Sequence, residues 1–264
     1  MNTPETTPPP SPAAPASPGP RPSVDPLFLA TPLVHTFLGG QRLTNASGFF
    51  FARGQRLFLV TSRHVFFDEA SGHQPDRIEI TLHLDPQNLT LCTGFSMLLY
   101  ALGTAVWRQG RDSGGEIDVA VLEIDRAALP PEAVFFAFTP EHLVKDFEAV
   151  PTDAALFIAG SPLGFQDTVH QLPVLRRAAI ASPFGLRFQG QGMFLTDARA
   201  HRGISGAPVV MREAAQRPET GALPWRLLGV HSSRLDMGNR DLSLDESLGL
   251  NGAWYADILL TLTA

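Results

Sequence analysis

Thr196-Asp197-Ala198-Arg199-Ala200-His201-Arg202-Gly203-Ile204-Ser205-Gly206-Ala207-Pro208-Val209-Val210 is the most informative stretch of this 264-residue chain. A serine set between near-neighbour glycines can expose its hydroxyl on a tight turn, because glycine adopts backbone conformations closed to other residues. The same glycines let the N–H groups of Gly203 and Ser205 converge on one developing oxyanion. Ser205 is therefore the candidate nucleophile, and the alternative is a loop that merely turns. The apolar run after Pro208 reads as a strand.

Two segments upstream could complete such a site. In Leu59-Val60-Thr61-Ser62-Arg63-His64-Val65 an apolar strand runs directly into a histidine, and a strand end can hold a base in fixed geometry while leaving it open to solvent. Taken alone, a histidine in this setting is more often structural. In Glu116-Ile117-Asp118-Val119-Ala120-Val121-Leu122 a carboxylate precedes an unbroken apolar strand. Buried beside an imidazole it would fix the ring tautomer and stabilise the imidazolium; otherwise it is a turn residue that opens a strand. Asp112 and Glu116 compete for the role, but the glycine-rich stretch Asp112–Gly115 reads as solvated.

Together the segments resemble the trypsin-like serine peptidases of chymotrypsin fold. Thr61-Ser62-Arg63-His64-Val65 is similar to their histidine motif, Asp118-Val119-Ala120-Val121-Leu122 to the aspartate motif, and Gly203-Ile204-Ser205-Gly206-Ala207-Pro208 to the serine motif. The order His, Asp, Ser separates this resemblance from α/β-hydrolases and subtilisins. Ala159-Gly160-Ser161-Pro162-Leu163-Gly164-Phe165 resembles a turn of the bacterial high-temperature-requirement proteases. The resemblance implies an acyl-enzyme mechanism with His64, Asp118 and Ser205 as triad, an oxyanion hole at Gly203 and Ser205, and no cofactor. Two positions depart from it. Ile204 replaces the usual Asp or Asn before the nucleophile, which argues against activation by a newly cut N-terminus, and Ala207 replaces a glycine.

The strand Leu228-Gly229-Val230-His231-Ser232-Ser233 resembles the pocket strand of glutamyl endopeptidases and picornaviral cysteine proteases. That likeness implies that His231 meets a Glu or Gln side chain before the scissile bond, since an imidazole N–H can donate to a carboxylate or amide oxygen. Arg199 and His201, on the approach to Ser205, would add positive character; otherwise they are a surface arginine and a loop histidine. The loop Arg234–Gly252 could form a pocket rim. A catalytically silent relative that uses the fold as a protein-binding module is the rival reading, and a scaffold that recruits partners through its proline-rich N-terminus is another.

Composition bounds the rest. With 44% hydrophobic and 17% charged residues the body should fold. The net charge is −6 and the cations, nearly all arginine, form no basic stripe, which argues against nucleic acid as a partner. One cysteine, Cys92, excludes an internal disulfide; it reads as core packing. His35, His73, His83, His142 and His170 show no paired ligand spacing, so no metal is implied. Met1–Pro26 is a proline-rich tail or linker without the pattern of a secretory signal, which predicts a cytoplasmic protein. The uncharged stretch Pro86–Trp107 is broken by polar residues and reads as buried strands, not a membrane span. An intracellular peptidase must be restrained by narrow specificity, a regulatory partner or induced assembly.

From Leu27 onward short β-branched and aromatic runs alternate with turn residues, which predicts an all-β peptidase domain over residues 27–264. Two six-stranded antiparallel β-barrels, about 27–130 and about 150–264, would flank a catalytic cleft. Expected strands include Leu89–Cys92, Leu186–Gln189 and Ala253–Leu260.

Overall fold

The computed structural model describes residues 24–213, 223–234 and 249–264. The chain is all-β with an antiparallel plan, as the trypsin-like resemblance implies. After a short helix α1 (Pro26–Ala30), the first half contains β1 (Leu33–Leu38), β2 (Gln41–Ser47), β3 (Phe49–Arg53) and β4 (Arg56–Thr61). A single turn α2 (Arg63–Phe66) comes next, then β5 (Arg77–His83), β6 (Cys92–Leu98), β7 (Tyr100–Ala101), β8 (Thr104–Ala105), β9 (Trp107–Asp112) and β10 (Gly115–Ile124). The second half holds β11 (Leu156–Gly160), β12 (Val174–Ala178), β13 (Met193–Thr196), β14 (Pro208–Arg212), β15 (Trp225–Arg234) and β16 (Asn251–Tyr255), closed by α3 (Ile258–Leu262).

Strand order is β2-β1-β5-β6 and β3-β4-β10-β9 in the first half, and β12-β11-β14-β15-β16-β13 in the second. The alternation in β5 shows why these residues form strands: Ile78, Ile80 and Leu82 point inward while Arg77, Glu79 and Thr81 stay half-exposed, the two-residue period of a one-sided sheet.

Three apolar cores result, and the middle one positions the site. It interleaves Phe49, Phe51, Phe58 and Val121 of the first half with Val210, Trp225, Leu227 and Val230 of the second. Burying one such side chain contributes about 1.5–3 kcal/mol, so the halves are joined by a true core rather than a hinge. The C-terminal helix reinforces the seam, because Arg53 donates to the Leu260 carbonyl at 2.5 Å and Arg108 to the Leu262 carbonyl at 3.2 Å. Cations at a helix C-terminus satisfy its free carbonyls and oppose its negative end.

Several local expectations change. Leu89–Leu91 lies in a loop and only Cys92 of the expected strand is in β6, because Asp85 Oδ1 accepts from the amides of Gln87 and Asn88 and holds the chain in a turn. Cys92 is half-buried on that edge strand rather than in a core. Leu186–Gln189 meets a 3-10 turn at Phe188–Gly190, with Gln189 in the left-handed region at φ 52°. Ala253–Leu260 divides into the end of β16 and the start of α3. Asp25 and Pro26, the last residues of the expected tail, take part in the fold: Asp25 accepts from the Leu27 amide and from Trp225 Nε1 at 2.9 Å. No helix among the described residues is long and apolar enough to cross a membrane.

Candidate active site

The site lies at the seam. In the register of β4 with β10, Thr61 stands opposite Ala120. This brings His64, three residues past Thr61, alongside Asp118, two residues before Ala120. A bulge in β10 between Ile117 and Ala120 breaks its pairing with β9 and turns Asp118 toward the helix; bulges commonly re-aim a side chain in this way. Asp118 Oδ1 then accepts from the His64 backbone amide at 2.9 Å, and Oδ2 lies 2.8 Å from His64 Nδ1. One carboxylate thus fixes both the backbone and the ring of the histidine. With Nδ1 as the donor, Nε2 keeps its lone pair.

Ser232, on β15, is a member of the site that the sequence reading missed. Its hydroxyl donates to Asp118 Oδ2 in a short bond, and its carbonyl accepts from Ser205 Oγ at 3.0 Å. A single residue therefore touches both the carboxylate and the candidate nucleophile. Burial alone would lower the His64 pKa, but the hydrogen bond and charge of Asp118, helped by Asp68, outweigh it and raise the value above the ordinary 6.5. Stability derived from this protonated ring is complete below pH 6.5 and is lost as pH rises through the raised pKa.

The loop between β13 and β14 carries Ser205. Gly203 and Gly206 adopt φ +90° and +84°. At Gly206 a Cβ would stand 2.1 Å from Thr61 Oγ1 and 2.3 Å from the Ser47 carbonyl, so no side chain fits. Ile204 and Ala207, the departures from the family pattern, are buried in the core of the second half and pin the loop from below. Ser47, also missed from sequence, ties three segments together. Its hydroxyl accepts from the Ser161 amide and donates to the Gly203 carbonyl, both at 2.9 Å, and its own amide donates to the Ser205 carbonyl at 2.9 Å.

The Arg202 carbonyl accepts from the Leu163 amide at 2.5 Å, on the turn Pro162–Gly164. In a trans peptide C=O and N–H point oppositely, so this bond turns the Gly203 N–H away from Leu163. Among the described residues neither the Gly203 nor the Ser205 amide donates to any acceptor. Two idle amides flanking a serine hydroxyl can stabilise negative charge on an oxygen placed between them.

A family model described as the trypsin-like peptidase domain matches residues 46–215. The chain belongs to this trypsin-like peptidase family. Membership supports serine peptidase activity, with proteins or peptides as substrates. Among curated proteins no relative matches it. The matched span contains His64, Asp118 and Ser205 and stops before β15, so His231 and Ser232 stand outside it.

In this trypsin-like chain His231 is buried behind the loop that carries Ser205, at 1% exposure. Its amide donates to the Ala207 carbonyl at 2.8 Å, and its carbonyl accepts from the Gly206 amide at 2.7 Å and from the Ser62 hydroxyl at 3.1 Å. Burial, and then repulsion from His64, push its pKa down to about 4, and Nδ1 has no partner. Arg199 and His201 are exposed, and neither side chain forms a hydrogen bond or ion pair with the described residues. Of the proposed pocket rim, residues 235–248 lie outside the described residues.

Of the remaining histidines, His35 Nδ1 is buried without a partner among the described residues, while His73, His83, His142 and His170 each have one. His73 Nε2 lies 3.1 Å from the Val65 carbonyl, His83 Nε2 lies 2.7 Å from the His170 carbonyl, and His142 Nδ1 accepts from the Thr139 amide at 2.9 Å. Among the described residues no group of three or more His, Cys, Asp or Glu could hold a metal ion.

Proposed function

We propose that this chain is a serine endopeptidase in which Ser205 is the nucleophile, His64 the general base and Asp118 the orienter. The observation that carries the reading is the double grip of Asp118 on His64, at 2.9 Å to the amide and 2.8 Å to Nδ1, with Ser232 linking that carboxylate to Ser205. Ser205 Oγ donates to the Ser232 carbonyl in the free chain; the reaction requires that proton to pass to His64 Nε2 instead.

Oγ then bonds to the substrate carbonyl carbon while His64 takes the proton, and the carbonyl oxygen gains the negative charge. The amides of Gly203 and Ser205 receive that charge; one such donor is worth about 10²–10³ in kcat. Collapse breaks the C–N bond, and the departing amine takes the proton from His64. Water repeats the sequence on the acyl-enzyme: His64 accepts its proton, hydroxide adds to the carbonyl, and Oγ leaves with that proton.

The reading includes a preference for Glu or Gln before the scissile bond. With Nδ1 of His231 buried and unpartnered, the neutral ring is best served by carrying its hydrogen on Nε2, the nitrogen that would meet a side-chain oxygen. Arg199 and His201 would favour acidic substrates through space, weakly, because exposed charges are screened. One observation favours the silent-fold alternative: Ser205 Oγ donates to Ser232 and not to His64.

A proteome-derived peptide library separates these readings, with cleavage sites found by mass spectrometry and Ser205→Ala as the blank. The expected result is new termini after Glu or Gln, absent from the blank. Cleavage mainly after Lys, Arg or Phe would refute the role of His231. No cleavage above the blank would favour the silent fold.

A further inference from the structure

We propose that Asn45 contacts the substrate on the leaving-group side of the scissile bond, its carboxamide donating a hydrogen bond to a backbone carbonyl of the segment being released. The inference rests on the peptidase reading above. Asn45 lies on β2 two residues before Ser47, so the two side chains share a face. Ser47 uses that face to reach the nucleophile loop and the Ser161 amide. Asn45 points into the same notch, as two glycines on different segments show.

A Cβ on Gly203 would stand 2.8 Å from Asn45 Oδ1, and a Cβ on Gly164 would stand 2.8 Å from Asn45 Nδ2. Both glycines are left-handed, at φ +90° and +73°, and their missing side chains leave the room that the carboxamide occupies. It sits between the nucleophile loop and the Pro162–Gly164 turn, beside the residue whose amide faces the oxyanion.

This carboxamide is idle. An asparagine side chain offers two donors and two lone pairs, yet none forms a hydrogen bond among the described residues. The nearest backbone groups are already engaged: the Ser161 carbonyl accepts from the Gly164 amide at 3.0 Å, and the Leu163 amide donates to the Arg202 carbonyl at 2.5 Å. No described residue serves it, which leaves the half-buried carboxamide to solvent or to a bound segment. In the proposed reaction the departing amine is protonated by His64, which belongs to the first half, while His231 and β15 receive the acyl side on the second half. The released segment therefore leaves over the first half, where β2 is the edge strand of its sheet and ends at the nucleophile.

Asn45 then makes the enzyme sensitive to the residues beyond the scissile bond, and favours peptides that continue past it over small leaving groups. The test uses the full chain and two fluorogenic substrates with the same acyl-side sequence. One is an internally quenched peptide extending four residues beyond the bond, and the other ends in an aminocoumarin amide. Asn45→Ala should lower kcat/KM for the extended peptide about fivefold, the worth of one neutral hydrogen bond, and leave the aminocoumarin amide within about twofold. Asn45→Asp, which keeps shape and removes the donor, should show the same selective loss. Equal losses on both substrates would mean that Asn45 only props the loop, and no loss on either would mean that it contacts nothing; both overturn the inference while leaving the peptidase reading intact. A wild-type chain that cleaves neither substrate overturns the peptidase reading and this inference with it.

Discussion

Replacing Ser47 by alanine removes one hydroxyl and unties three segments. That hydroxyl is the acceptor for the Ser161 amide, 114 residues away, and the donor to the Gly203 carbonyl, 156 residues away, each at 2.9 Å. Ser47 and Ser161 are each 1% exposed, so water does not readily replace the lost oxygen. A buried polar group left without its partner costs about 1–3 kcal/mol, and two are left here, which gives roughly 2–6 kcal/mol.

At about 2–4 °C per kcal/mol for a domain of this size, the melting temperature should fall by about 4–24 °C. Activity should fall further than stability requires, because the Gly203–Ile204 peptide and the Ser161 amide lose their common anchor, and the loop and turn on either side of the Leu163–Arg202 bond that aims the Gly203 amide are both loosened. A loss in kcat of about 10² corresponds to one displaced oxyanion donor. Thermal unfolding by circular dichroism and the rate of fluorophosphonate labelling well below the melting temperature would measure the two effects separately. A variant melting within about 2 °C of the parent and labelling at the parent rate would mean that Ser47 holds nothing, and the three-segment tie would have to be abandoned.

Charge and backbone supply further tests. His64 must be neutral to accept the Ser205 proton, so kcat/KM should rise with pH through its raised pKa, over the window in which the stabilisation from the protonated ring is lost. Asp68→Asn should move that acid limb to lower pH, because Asp68 is one of the charges raising the His64 pKa, and high salt should shrink the difference; an unmoved limb would show that Asp68 has no hold on the ring. Gly206→Ala should cost roughly 4 kcal/mol or more by denaturant unfolding, since Ser47 and Thr61 backbone atoms within 2.8 Å of the new methyl have no freedom to move aside. Gly39→Ala, also left-handed but with nothing within 4 Å, should cost only about 1–2 kcal/mol.

How far the sequence could be read depends on how far apart the interacting groups lie along it. Ser205 stands out locally as a glycine-flanked serine, whereas His64 and Asp118, polar residues at the ends of apolar strands, take their weight from the order His, Asp, Ser along the chain. Ser47, Ser232 and Asn45 do neither, because each is an ordinary polar residue whose meaning comes from a partner more than a hundred residues away. The double glycine before β2 and the serine after His231 were the only signals to be had. The strand β2 itself was missed for a related reason: Gln41, Arg42, Leu43 and Thr44 are exposed on an edge, so no buried alternation marks them.

Where tertiary contacts competed with local propensity, the contacts won. Leu186–Gln189 has strand-like composition, but Arg187 reaches across the seam to Asp112 at 2.6 Å, and the backbone goes with it into a turn. Ile204 shows the reverse. It departs from the polar residue the family usually carries there, and in the fold it is a buried anchor for the loop that carries Ser205.

Activation of Ser205 by His64 stands or falls on intact-mass analysis and peptide mapping after exposure to a fluorophosphonate above the His64 pKa. The expected outcome is one adduct per chain on Ser205, none on Ser205→Ala and a strongly slowed reaction for His64→Ala. An unlabelled wild-type chain, or an adduct that persists in Ser205→Ala, would remove Ser205 as the nucleophile.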